Sequence, residues 1–371
     1  MQFENWINIR SGISEVSEKL ATKPCKICYL GNSVTVQKNG YRTILHPAIN
    51  KYFDHAHQPI NAGIGGVGSL ACAFFINDFV VRHKPDICFV ECTTADNGGA
   101  TPLHLIGPAV EGIIKQLLSN NISVCLLNLY RNKDLYYSFD EVFSIYERIA
   151  DHYKIPSINI QGAISKLIED GIYTTEEITY DGIHTTSLGA QITAEKILEG
   201  LKEIISSSTH LININEPLYS DIYQYTGIVP ATIQMLKTTN DYQTGKFRGL
   251  IPYVEIFSNN EILFTPIDGE LICVLVIADD QSGVITVDSN NTFSHIQLYD
   301  EWCEKERLQV IILDNAVKAN FPIKLFLADV DKAERGANTT PNPNIRKAKS
   351  LKVIGFMVRH FDNNYKKYNL W

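Results

Sequence analysis

Apolar residues fall into two textures along this chain. From about residue 25 to 205, short β-branched or apolar runs alternate with stretches of helical period, whereas beyond about 245 only short runs remain, separated by turn-forming pairs. The first texture predicts strands at Ile27–Leu30, Pro59–Asn61, Ile87–Glu91, Val124–Leu129 and Pro156–Ile160, with helices over roughly 40–53, 69–83, 103–120, 138–153, 161–169 and 187–206. Five strands with helical crossovers predict an α/β fold: a flavodoxin-like doubly wound parallel five-stranded sheet, whose site lies in the loops after the strand carboxyl ends.

The second texture predicts a C-terminal β-sandwich-like domain, with strand-like runs at Tyr253–Phe257, Glu261–Phe264, Leu271–Ile277, Gly283–Val287, Val310–Leu313, Ile323–Leu327 and Leu351–Val358. Turn pairs such as Asn259-Asn260 and Asp268-Gly269 punctuate it, and Ala333–Lys349 reads as an exposed loop. Ahead of the first strand, Trp6, Ile9, Ile13, Val16 and Leu20 at helical spacing predict an amphipathic helix. The expected division is therefore an N-terminal helix over 1–24, an α/β domain over 25–208 closed by Ser206-Ser207-Ser208-Thr209, and a β-rich accessory domain over 209–371.

At 371 residues the chain can bury two cores without disulfides. A net charge of -8 disfavours a phosphate-tracking surface, so no nucleic acid partner is expected. The longest apolar runs, such as Val124–Leu127 and Leu271–Ala278, are too short for a membrane span, and no basic-then-apolar leader precedes them, which predicts a soluble cytoplasmic protein. Most of the eight cysteines lie in predicted strands or helices and read as reduced core thiols. Cys25 and Cys28 form a single C-x-x-C pair with no second pair, a weak metal or redox signal, and neither a metal nor a cofactor is expected.

Three segments carry candidate chemistry. Gly31-Asn32-Ser33-Val34-Thr35 follows the first strand and puts Ser33 at its carboxyl end. Asp181-Gly182-Ile183-His184 sets an aspartate three residues before a histidine, a spacing that can aim the imidazole at a nucleophile. Asn61-Ala62-Gly63-Ile64-Gly65-Gly66 follows the second strand and offers backbone N–H groups in a side-chain-free turn. Each has a plainer reading: Ser33 as a helix cap, Gly63-x-Gly65-x-x-Gly68 as a phosphate loop, Asp181–His184 as a surface turn. His46, His55 and His57 read as solvated loop histidines.

In order and separation, these segments resemble the blocks of the SGNH/GDSL hydrolase family over roughly residues 25–205. The resemblance implies a serine hydrolase with Ser33 as nucleophile, His184 as general base and acid, and Asp181 as the group orienting His184. It also implies an oxyanion hole from the N–H groups of Ser33 and Gly66. Two positions depart from the pattern. The first-block aspartate is replaced by Asn32, and registering the third block on Phe89-Val90-Glu91 puts Ala95-Asp96 where the family has Asn-Asp. The missing side-chain donor is worth about 100- to 1000-fold in rate unless Asn97 supplies it from a shifted loop. Asn32 and Asp96 are further candidates for substrate binding.

With a β-rich companion domain, the expected partner is an acylated carbohydrate or other small ester, and the expected reaction is removal of an O-acyl group, acetyl above all. The aromatics Tyr253, Phe257, Phe264, Phe293, Tyr299 and Trp302 are candidates for a sugar-stacking surface. An O-acetyltransferase using the same acyl-serine, and a non-catalytic carbohydrate-binding protein on the same scaffold, remain as alternatives.

Overall fold

The computed structural model describes residues 6–10, 13–132, 135–206, 216–266, 269–289, 292–300, 302–313, 322–330, 332–335 and 345–360. The chain divides into two compact units, Met1–Gln224 and Tyr225–Trp371. The division falls after the segment 216–224 and not at 208/209. The reason is local: Glu111 accepts the N–H groups of Leu218, Tyr219 and Ser220 at 2.5, 2.7 and 2.8 Å, tying that segment to the first unit.

The first unit is built on a sheet of β1 (Ile7–Asn8), β2 (Lys26–Gly31), β3 (Gln58–Gly63), β4 (Ile87–Glu91), β5 (Ser123–Asn128) and β6 (Ser157–Asn159). The order is β1-β6-β5-β4-β2-β3, with β2 to β6 mutually parallel and β1 antiparallel on β6. The sheet thus has six strands where five were expected. The added edge strand lies within the predicted N-terminal helix, which is only α1 (Ser14–Thr22). Trp6 and Ile9 reach the core from outside any helix, and Arg10 holds this edge through Glu147 at 2.7 Å and Asp151 at 2.6 Å.

The remaining helices are α2 (Ser33–Val36), α3 (Tyr41–Phe53), α4 (Ser69–Phe79), α5 (Thr93–Asn97), α6 (Leu103–Ser119), α7 (Phe139–Tyr153), α8 (Ile160–Glu169), α9 (Thr175–Ile178) and α10 (Ser187–Ser206). Local chemistry sets several boundaries. A capping box between Ser138 and Glu141 starts α7, and Asn159 ends β6 early by accepting the Gly162 N–H into the first turn of α8. Alternate strand residues face opposite ways: Ile27, Tyr29, Ile87, Phe89, Cys125 and Leu127 join α1, α3, α8 and α10 in one core. Their neighbours Cys28, Leu30, Cys88, Val90, Val124 and Leu126 are equally buried, so the strands read as continuous apolar runs, as a sheet covered on both faces requires.

Among the described residues the second unit holds two sheets. One contains β10 (Ile262–Phe264), β12 (Val284–Ser289), β13 (Thr292–Gln297), β15 (Ile323–Leu327) and β16 (Glu334–Arg335), in the order β10-β15-β12-β13-β16. The other contains β7 (Thr226–Pro230), β8 (Tyr242–Phe247), β9 (Ile251–Ile256), β11 (Gly269–Ala278), β14 (Arg307–Ile312) and β17 (Leu351–His360), ordered β14-β11-β17-β9-β8 with β7 paired to β17. Both sheets contribute to a single apolar core, in which Phe264 and Phe356 stack with ring centroids 4.0 Å apart. Of the candidate sugar-stacking aromatics, Phe264 is therefore a core residue, while Phe293 and Trp302 are exposed. Strand β16 interrupts the expected loop 333–349, of which residues 336–344 lie outside the described residues, as do Ser207 to Thr209 and Asp268.

Candidate active site

Ser33 and His184 are 151 positions apart in the chain and meet at the carboxyl end of the sheet. Strand β2 ends at Gly31, Asn32 caps α2 by accepting the Val34 N–H at 3.1 Å, and Ser33 is the first residue of that short helix. His184 Nε2 lies 2.9 Å from Ser33 Oγ, and His184 Nδ1 lies 2.6 Å from Asp181 Oδ2. The other carboxylate oxygen, Asp181 Oδ1, accepts the N–H groups of Ile183 and His184 at 2.9 and 2.7 Å, which locks the carboxylate beneath the ring. Burial pushes the Asp181 carboxyl up, but the bonds from the His184 side chain and from these two N–H groups outweigh it and leave the carboxyl below its ordinary value.

The histidine loop is held at both ends. An antiparallel bridge joins Thr179 to Thr185, Tyr180 N–H donates to His184 O at 3.1 Å, and Gly182 takes φ +81° at the tip. Gly189 packs so closely on the Ile178 carbonyl that a Cβ would collide with it, fixing the start of α10 against the loop. Gln37, just past α2, spans the two halves: its Nε2 donates to Thr185 O at 2.8 Å and its Oε1 accepts Thr185 Oγ1 at 3.3 Å. A hydroxyl, an imidazole with one nitrogen toward it, and a carboxylate on the other nitrogen make a proton relay of the kind used in acyl transfer.

Two solved structures are similar over both units. A two-domain esterase active on acetylated mannans matches with a TM-score of 0.73 at 16% sequence identity, over 93% of this chain and 94% of that one. A two-domain esterase active on acetylated mannans and co-crystallized with mannopentaose matches with a TM-score of 0.70, also at 16% identity, over 96% of this chain and 98% of that one. The chain has the fold of a two-domain esterase. No protein-family model and no curated protein matches it.

Within this two-domain esterase fold the other candidates divide. Gly66 sits at φ +78° in the turn after β3, and a Cβ on the preceding Gly65 would lie 3.9 Å from Ser33 Cβ, so the glycine turn borders Ser33. Asn97 closes α5 and is fully buried, and neither its Oδ1 nor its Nδ2 has a hydrogen-bond partner among the described residues. Asn32 and Asp96, candidates for substrate binding, are both committed internally. Asn32 is 3% exposed and spends Nδ2 on Thr94 Oγ1 at 2.6 Å. Asp96 is fully buried, accepts Tyr146 OH at 2.7 Å and the Ser69 N–H at 2.9 Å, and so caps the start of α4 and not a substrate. Its carboxyl is pushed up by burial, against the bonds from Tyr146 and Ser69.

Sequence reasoning missed Glu91, Gln37 and Tyr180. Glu91 had a visible signal, a charged residue ending the apolar run Ile87-Cys88-Phe89-Val90. Tyr180 is 66% exposed and lies nearly parallel to the His184 ring, at 15° with centroids 5.8 Å apart. No group of three His, Cys, Asp or Glu side chains that could hold a metal occurs among the described residues, and all eight cysteines are buried free thiols.

Proposed function

We propose that this chain is a serine esterase that removes an O-acyl group, acetyl above all, from a carbohydrate. One observation carries the reading: the unbroken relay from Ser33 Oγ through His184 to Asp181, at 2.9 and 2.6 Å. Ser33 Oγ attacks the ester carbonyl while His184 Nε2 takes its proton. The C–O bond to the sugar then breaks, and Nε2 returns that proton to the leaving alkoxide. Water, deprotonated by the same nitrogen, adds to the acyl carbon, the C–Oγ bond breaks to release the free acid, and Nε2 returns the proton to Ser33 Oγ. Asp181 holds the imidazole proton on Nδ1 and stabilises the imidazolium. The developing oxyanion is assigned to the N–H groups of Ser33 and Gly66 and to Asn97 Nδ2, an amide without a hydrogen-bond partner among the described residues.

The carbohydrate assignment draws on the likeness of the whole chain to a two-domain esterase active on acetylated mannans and on exposed Tyr180 beside His184, a flat surface for a sugar face. The strand order of β2 to β6 supports a flavodoxin-like doubly wound sheet, and the shared core of the two β-sheets supports a sandwich in the second unit. Eight reduced thiols suit a reducing, cytoplasmic setting.

The test is covalent labelling. Treatment with a fluorophosphonate followed by peptide mass spectrometry is expected to place one adduct on Ser33, and none in the His184→Ala variant. Absence of the Ser33 adduct in the parent protein would overturn the assignment. Incubating an acetylated donor with manno-oligosaccharides separates hydrolysis, read as free acetate, from transfer, read as a newly acetylated sugar.

A further inference from the structure

Glu91 ends β4 fully buried, with a neutral donor at every bond made to it among the described residues. Two chains of donors end on its carboxylate. On one side Asn32 Nδ2 donates to Thr94 Oγ1 at 2.6 Å and Thr94 Oγ1 donates to Glu91 Oε1 at 2.6 Å. The Thr94 N–H and Asn32 Nδ2 reach the same oxygen at 3.1 and 3.4 Å. On the other side Thr35 Oγ1 lies 3.4 Å from Glu91 Oε2 and 3.1 Å from Tyr41 OH. An ionised carboxylate only accepts, so Thr35 donates to Glu91 and accepts from Tyr41. Residues 32 and 35 bracket Ser33, and Gly31 is the register partner of Glu91, close enough that a Cβ at 31 would come within 2.6 Å of Glu91 O.

We propose that Glu91 is a positioning residue for the nucleophile: as the common acceptor for the flanks at 32 and 35, it fixes the turn that aims Ser33 Oγ at His184, and this is why residue 32 is an amide. The aim of Ser33 matters only if Ser33 is the esterase nucleophile, so the role rests on that reading; the pairing of 32 with 91 does not. Burial pushes the Glu91 carboxyl up, the bonds from Thr94 and Asn32 pull it down, and Asp96 nearby pushes it up again. A second carboxylate at 32 would meet it with one hydroxyl, that of Thr94, to share between them.

The test is an exchange cycle of Asn32→Asp, Glu91→Gln and the double variant, assayed on triacetin. Asn32→Asp alone is expected to lower kcat by about 100-fold with KM changed less than about threefold, the mark of a lost transition-state alignment. Glu91→Gln alone should lower kcat about tenfold, because the amide keeps one acceptor oxygen for Thr94. Adding Glu91→Gln to Asn32→Asp should raise kcat at least about tenfold over Asn32→Asp, since one carboxylate and one amide again face each other. A double variant no faster than Asn32→Asp, or an Asn32→Asp variant within about threefold of the parent, overturns the proposal. Should Asn32→Asp fail to fold, a folded and active double variant supports the exchange and an unfolded one overturns it. Should the parent neither turn over ester nor take a fluorophosphonate, the esterase reading fails; melting temperatures across the cycle then still read the pairing, which requires the double variant to melt above Asn32→Asp.

Discussion

Replacing Asp181 with asparagine isolates the tautomer of His184 from the architecture of its loop. The introduced amide keeps an oxygen for the Ile183 and His184 N–H groups, now 2.9 and 2.7 Å from Asp181 Oδ1, so the loop keeps its shape. Its nitrogen then faces His184 Nδ1, where a carboxylate oxygen lies at 2.6 Å. Two donors cannot share that contact, so the ring moves its proton to Nε2 and presents a donor to Ser33 in place of a base. The same exchange in a serine protease lowers kcat by about 10⁴-fold, which is about 5.5 kcal/mol at 1.36 kcal/mol per decade. Steady-state hydrolysis of triacetin is the assay, with thermal melts alongside. Asp181→Ala serves as the contrast: it also strips two half-buried N–H groups of their acceptor, costing about 1–2 kcal/mol of stability. The melts carry a pH signature as well. Because the folded-state carboxyl is held below its ordinary value, its stabilisation is present above the unfolded-state pKa of about 3.9 and is lost as pH falls through the folded value. Parent and Asp181→Asn melting temperatures should therefore converge on acidification from pH near 6 to near 3. An Asp181→Asn enzyme within about tenfold of the parent would refute the orienting role.

Other outcomes follow from single side chains. Asn97→Ala is expected to lower kcat by about 100-fold with little change in KM, by steady-state kinetics, since the side-chain amide has no hydrogen bond to lose among the described residues. Tyr180→Ala is expected to raise KM for acetylated manno-oligosaccharides about tenfold and Tyr180→Trp to restore it; equal KM values would remove Tyr180 from the sugar surface. Glu111→Ala deprives Tyr153 OH and three backbone N–H groups of their acceptor, and should lower stability by about 3–5 kcal/mol in a denaturant titration. A loss under about 1 kcal/mol would mean that water replaces the carboxylate there.

The interior of the first unit was readable because its strands are buried on both faces and its helices on one. Ile87–Glu91 carried that pattern from end to end, and the helix 187–206 began where its first apolar turn began. The edge strand Ile7–Asn8 was not readable: two residues have no period, and their partner Ser157–Ile158 is distant in the chain. In the second unit, Tyr242-Gln243-Thr244-Gly245-Lys246-Phe247 is too polar to announce a strand, and pairing with Ile251–Ile256 is what makes it one. The relay Ser33–His184–Asp181 was legible because its members sit in two short motifs, Ser33 in Gly31–Thr35 and the Asp181/His184 pair together in Asp181–His184. The commitments of Asn32 and Asp96 were not, because the hydroxyls that satisfy them, Thr94 and Tyr146, belong to other segments and have no motif.

The clip from Thr179 to Thr185 divides the site unevenly between near and far parts of the chain. Asp181 and His184 lie within one small loop that short-range contacts can shape early, whereas the Ser33 hydroxyl arrives only when the parallel strands have assembled. An immature chain would then carry a poised imidazole with nothing to activate, chemically silent until the last long-range closure. On dilution from denaturant, recovery of Ser33 labelling should accordingly trail recovery of the helical circular-dichroism signal.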